Sequence, residues 1–169
     1  MRKKHLKSAV DFSGVLQQSA YLARSADGLQ TGQKGSIHTE AMELVGLCNV
    51  VEGEHKGLTQ VSMEQLLFWN PDIILTQYAE FFQTIKNNPQ WSQLSAVKNQ
   101  HVFFIPNQPF GWLDSPPSLN RLLGVRWLQH LLSNKPMADF APEVQRFYKL
   151  FYHIDLSTAQ AEQLLKQGQ

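Results

Sequence analysis

Val61-Ser62-Met63-Glu64-Gln65-Leu66-Leu67-Phe68-Trp69-Asn70-Pro71-Asp72-Ile73-Ile74-Leu75-Thr76 holds a helix start, a helix stop and a buried strand in one short stretch. Ser62 with Gln65 makes a capping box, in which the serine oxygen accepts the N–H of Gln65 and the glutamine side chain reaches back to the N–H of Ser62. Met63, Leu66 and Leu67 supply the buried side of the helix. Glu64 is left facing outward in the first turn, where the helix dipole favours an acid. Pro71 disfavours helical geometry at Asn70, so the helix is short. Ile73-Ile74-Leu75 is an unbroken apolar run, the pattern of a strand covered on both faces in a parallel sheet.

Outward from this stretch, strands and helices alternate. Ala20-Tyr21-Leu22-Ala23-Arg24 reads as a strand, and Gly28, Gly32 and Gly35 mark the following run to Ser36 as a loop. Ser36 is an N-cap candidate with Thr39 and Glu40 behind it; Ala41, Met42, Leu44 and Val45 form an apolar face, and Gly46 stops the helix. Asn49-Val50-Val51 suggests a brief strand. Tyr78 to Asn87 is helical in pattern and is broken by Asn88-Pro89. His101-Val102-Phe103-Phe104-Ile105 is a second apolar strand, closed by Pro106. Residues 106–117 form a stiff loop of prolines and aromatics. A long helix from Ser118 to Leu132 follows, with Leu119, Leu122, Leu123, Trp127 and Leu131 on its apolar side. Two more helices span roughly 142–152 and 158–167, the last with its own capping box from Ser157 and Gln160. The expectation is α/β: a single Rossmann-like lobe, a small parallel sheet flanked by helices on both faces. Residues 1–19 fit this pattern poorly and read as a linker or helical remnant before a lobe of residues 20–169.

Composition narrows the function. The 169 residues are 43% hydrophobic and 17% charged, with a net charge of +1. The only basic cluster is Arg2, Lys3, Lys4 and Lys7, so no nucleic-acid footprint is present. A single cysteine, Cys48, excludes an internal disulfide and a cysteine-rich metal site. No metal site is expected: none of His5, His38, His55, His101, His130 and His153 has a histidine four residues away, and each alone reads as a surface or satisfied histidine. Phosphate loops, dinucleotide fingerprints and G-x-S-x-G are absent, so neither a cofactor nor an enzymatic activity is expected. No run is long enough to span a membrane. Met1-Arg2-Lys3-Lys4 opens like a secretion signal, but Asp11, Gln17 and Gln18 interrupt the apolar core such a signal needs. On these features alone the chain is expected to stay in the cytoplasm.

Two segments carry a family likeness: Tyr21-Leu22-Ala23-Arg24-Ser25-Ala26-Asp27-Gly28-Leu29-Gln30-Thr31-Gly32, and Pro109-Phe110-Gly111-Trp112-Leu113-Asp114-Ser115-Pro116-Pro117-Ser118-Leu119-Asn120-Arg121-Leu122-Leu123-Gly124. With the stretch from Gln60 to Leu75 between them, they resemble the C-terminal lobe of periplasmic substrate-binding proteins of the iron-siderophore, cobalamin and molybdate ABC importers. The likeness runs over about residues 20–167. It implies two α/β lobes bridged by a long helix, with ligand in the cleft between them, and the chain is expected to hold the C-terminal lobe without the N-terminal one. It implies further an iron chelate or oxyanion as ligand, an ABC permease with its ATPase as partners, and a periplasmic parent. Glu64 stands where that family places a permease-docking glutamate. An inactive fragment of such a parent is a second reading. A metallocluster enzyme subunit of similar layering is a third, against which the lone Cys48 argues.

Four residues are expected at the ligand: Arg24, a planar donor fork suited to carboxylates and oxyanions; Phe110 and Trp112, with Trp112 offering a flat apolar face; and Ser118, capping a helix whose N-terminus favours an anion. The alternative arrangement packs Trp112 inward and pairs Arg24 with Asp27 or Asp114. Arg121, a cation near a helix N-terminus, is expected to pair with Asp114 as a structural brace. Half a cleft is expected to bind weakly and to expose apolar surface that invites self-association.

Overall fold

Ala20, Tyr21, Leu22 and Ala23 send alternate side chains into two apolar layers, and all four are buried. The strand they form, β1 (Ser19–Ala23), lies centrally in a computed structural model that describes residues 18–166. Its neighbours are β3 (Cys48–Asn49) and β5 (Ile73–Thr76), and β5 pairs in turn with β6 (Val102–Phe104). The order is β3-β1-β5-β6 and every pairing is parallel, with Ala20 opposite Ile73 and Ile74 opposite Val102. β2 (Gln30–Gly32) and β4 (Leu58–Gln60) form a separate antiparallel pair. β2 falls within the glycine-marked run to Ser36 that the sequence reads as loop. The residue 1–19 linker reading falls on positions 1–17, outside the described residues, except that Ser19 already belongs to β1.

One face of the sheet, carrying Ala20, Leu22, Ile73 and Leu75, is covered by α1 (Glu40–Leu44), α5 (Arg121–Leu132), α6 (Ala141–Tyr152) and α7 (Thr158–Lys166). The other, carrying Tyr21, Ala23, Ile74 and Val102, is covered by α2 (Met63–Trp69), α3 (Ala79–Thr84), α4 (Ser95–Lys98) and short 3₁₀ turns. Two-sided burial is what continuous apolar strands demand. Both capping boxes are in place. Ser62 Oγ accepts the Gln65 N–H at 3.3 Å and Gln65 Oε1 accepts that of Ser62 at 2.9 Å; Ser157 and Gln160 do the same at 3.2 and 2.8 Å.

Three local readings change. Leu67 is exposed, because α2 buries only Met63 and Leu66. The long helix starts at Arg121, not Ser118, and Asn120 holds the cap position without a side-chain cap bond. α5 buries Leu123, Gly124, Trp127 and Leu128, which rotates Leu119 and Leu122 into solvent. Among the described residues, no helix is long and apolar enough to cross a membrane.

Candidate functional site

Parallel strands end on a common edge, and the loops that follow them meet there. Arg24 follows β1, Gln77 follows β5, and the 105–120 loop follows β6. In open α/β sheets this carboxyl edge is where ligands bind.

The β6 loop is fixed by its own polar groups. Trp112 turns inward and is fully buried; its Nε1–H donates to the Gln108 carbonyl at 3.1 Å, and the Tyr148 hydroxyl donates to the same oxygen. Burial first, against the relieving Trp112 contact, pushes the Tyr148 phenol up to about 12. Asn120, also buried, donates from Nδ2 to the Phe110 carbonyl at 2.9 Å and accepts the Tyr152 hydroxyl at 2.6 Å. The loop is thereby tied to α6. Gly111 lies so close to Asp114 that an added Cβ would come within 2.8 Å of its carbonyl carbon.

This scaffold delivers Asp114 to the edge. Its side chain is 1% exposed, and one carboxylate oxygen pairs with Arg24, whose side chain is 11% exposed. The other oxygen contacts His38 Nδ1 at 2.8 Å, and the Asp114 N–H donates to Gln77 Oε1 at 3.1 Å. A buried carboxylate thus orients two cationic or potentially cationic groups that arrive from separate parts of the chain. Arg24 is further aligned by Gln30, which accepts from its backbone N–H at 2.8 Å. Burial lowers the Arg24 pKa from its ordinary value. His38 is also held below its ordinary value, by burial first and then by the charges of Arg24 and Arg121.

The structure brings Arg24, Asp114 and the Phe110–Ser118 loop together at one edge, but rearranges their roles. Trp112 presents no face to a ligand, since its indole fills the core. Ser118 does not cap α5; its Oγ accepts the Asn120 N–H at 3.3 Å. Phe110 is about half exposed on the loop. Arg121 does not brace Asp114; it pairs with Glu40 at 2.6 Å and so links α5 to α1. Asp27 is engaged by Ser25 and by the Leu29 N–H, leaving Asp114 as the partner of Arg24. Glu64 stands exposed in the first turn of α2, its pKa lowered mainly by the Ser62 hydroxyl. His38 is the residue sequence reasoning undervalued. Its partner lies 76 positions away, and no local motif announces the pair. Among the described residues, no group of three or more histidine, cysteine, aspartate or glutamate side chains could hold a metal ion.

A single parallel-sheet lobe with its polar groups gathered on the carboxyl edge has the architecture of one wall of a ligand cleft. The chain belongs to the periplasmic binding protein family, whose model matches residues 16–109. It is 34% identical over 147 residues to the molybdate-binding protein MolA of Haemophilus influenzae, a match covering 84% of this chain and 41% of that protein. An ABC transporter solute binding protein from Sulfurospirillum deleyianum superposes with a TM-score of 0.79 at 32% identity, covering 89% of this chain and 48% of that one. MolA of Haemophilus influenzae, in a structure bound to molybdate, superposes with a TM-score of 0.67 at 30% identity, covering 83% and 44%. The chain therefore spans less than half the length of each of these relatives.

Proposed function

We propose that this chain is the C-terminal lobe of the substrate-binding component of an ABC importer, with a non-catalytic role. Its ligand is an oxyanion or the anionic rim of a metal chelate, seated on Arg24. The observation that carries this reading is the Arg24–Asp114–His38 cluster on the carboxyl edge. The buried carboxylate holds the guanidinium in one orientation, so little side-chain entropy remains to be lost when an anion arrives. Likeness to a molybdate-binding protein supports the oxyanion class. A second lobe in the periplasmic parent would close the cleft and supply the remaining contacts. The binding measured for this chain by itself is therefore expected to be weak.

Titration of the ¹⁵N-labelled chain with sodium molybdate tests the ligand reading. The expected result is a concentration-dependent shift of the amides of Arg24, His38 and Asp114, with those of α7 unmoved. Arg24→Lys keeps the charge and loses the planar fork, and should weaken binding roughly ten- to a hundredfold. Amides that stay fixed at the edge in tens of millimolar molybdate would remove the reading.

The partner reading rests on Glu64, whose exposed carboxylate pairs with no cation among the described residues. In the two-lobed parent, Glu64→Lys should leave ligand affinity intact and abolish both transport and permease binding. Transport that survives the reversal would reduce Glu64 to a helix-start acid.

A further inference from the structure

His38 has one nitrogen committed and one free. Nδ1 faces a carboxylate oxygen of Asp114 at 2.8 Å, and a carboxylate accepts hydrogen bonds without donating them, so Nδ1 carries a hydrogen. Nε2 makes no hydrogen bond among the described residues, and it is not one of the sealed, unpartnered atoms of the interior. The side chain is 21% exposed, beside a guanidinium tied to the same carboxylate. In the neutral ring Nε2 is therefore a bare lone pair beside the Arg24–Asp114 pair. An oxyanion offers only acceptor oxygens, so the neutral ring would repel it where the protonated ring would donate to it.

We propose that His38 is a ligand-contact residue that takes one proton from solvent as an oxyanion binds, so that anion capture by this lobe is proton-coupled. The inference rests on the oxyanion reading of the Arg24 edge given above. The proton adds to the Nε2 lone pair, the anion accepts the new N–H, and no other bond changes. The charged groups around His38 set the balance. Asp114 holds one negative charge, shared with Arg24 from the end of β1. Arg121 approaches from α5 with Glu40 of α1 paired to it. The cluster of Arg24, Asp114 and neutral His38 carries no net charge, and an arriving dianion supplies the negative charge that makes a second cation favourable.

The sign follows from linkage. Binding raises the His38 pKa, so affinity is greatest below the pKa of the free chain. It falls as pH rises through the window up to the pKa of the complex, by at most about tenfold per pH unit for one proton. No such slope arises from Arg24, which stays charged throughout.

The experiment is an NMR titration of the His38 ring in the unaltered 169-residue chain, with and without saturating sodium molybdate. The expected result is a pKa at least one unit higher with molybdate, while the Arg24 amide also shifts. An unchanged His38 pKa alongside a shifted Arg24 amide overturns proton coupling and leaves the oxyanion reading standing. No change at either residue overturns both. His38→Gln provides an independent arm, because its amide donates without titrating; between pH 5 and about 8.5 its molybdate affinity should be flat, where the unaltered chain loses affinity by up to about tenfold for each unit by which binding raises the His38 pKa. A pH slope that persists in a folded His38→Gln chain also overturns the proposal.

Discussion

Asp114→Ala is expected to destabilise the lobe by roughly 3–5 kcal/mol, the usual cost of removing one partner from a buried ion pair. The cause is the charge left behind. Arg24 is nearly buried, and its guanidinium has Asp114 as its carboxylate partner. A surface pair would contribute at most about 1 kcal/mol, so burial decides the magnitude. In a chain of this size, such a loss lowers the melting temperature by roughly 10 °C. A second variant separates the charge from the packing. Replacing both partners, Arg24→Met with Asp114→Leu, removes the stranded charge and should recover most of the stability, since apolar replacements of buried pairs are often neutral or better. Urea unfolding of the single and double variants reads both numbers. If the single variant unfolds within 0.5 kcal/mol of the unaltered chain, roughly the spread of a neutral surface change, Arg24 has another way to be neutralised. The site argument would then lose its anchor. The same variant should also free His38, so losses of stability and of anion response are expected together.

Much of the lobe was legible in the sequence because its information is local. The strands at 73–75 and 101–105 announced two-sided burial through apolar runs, residues 20–24 read as a short strand, and all three coincide with parallel strands of the sheet. Both capping boxes were readable because their parts stand three residues apart. The β2–β4 pair was not readable. Gln30-Thr31-Gly32 and Leu58-Thr59-Gln60 are short and polar, and their pairing depends on the chain returning from β3. The site failed in the same way. Asp114 is near Arg121 in sequence, so the nearest-acid rule joined them. In the fold Arg121 meets Glu40, 81 positions away, and Asp114 turns to Arg24 and His38. At the carboxyl edge, loops from different strands converge, and sequence distance loses its meaning there. Trp112 shows the other limit. A tryptophan in a proline-rich loop suits exposure or burial equally, and what decides is the Gln108 carbonyl, which accepts from the Trp112 indole and from Tyr148, 40 positions further on.

Gly124→Ala carries the other large effect, and two opposing terms settle its sign. Gly124 lies inside α5, donating its N–H to the Asn120 carbonyl at 2.9 Å. By helix propensity alone, alanine should gain about 1 kcal/mol over glycine at an interior position. Packing opposes this. A Cβ at Gly124 would overlap the Trp112 carbonyl oxygen, lie 2.6 Å from its carbonyl carbon and press the Leu113 side chain at 2.8 Å. Two of those atoms are backbone in a loop held at both ends, so no rotamer change relieves them. Overpacking a rigid contact costs roughly 1–3 kcal/mol, and more when backbone must move. The clash therefore outweighs the propensity gain, and a net loss of about 2 kcal/mol is expected. The variant should reach the site as well, because the loop that must shift holds Asp114. Its edge amides should respond to molybdate less than those of the unaltered chain. Leu122→Ala, on the exposed side of the same helix, is the control and should stay within about 0.5 kcal/mol. Thermal melts of the two variants give the comparison. A Gly124→Ala chain as stable as the unaltered one, or more so, would mean that α5 and the Trp112 loop can separate freely, and that the loop does not hold the site in place.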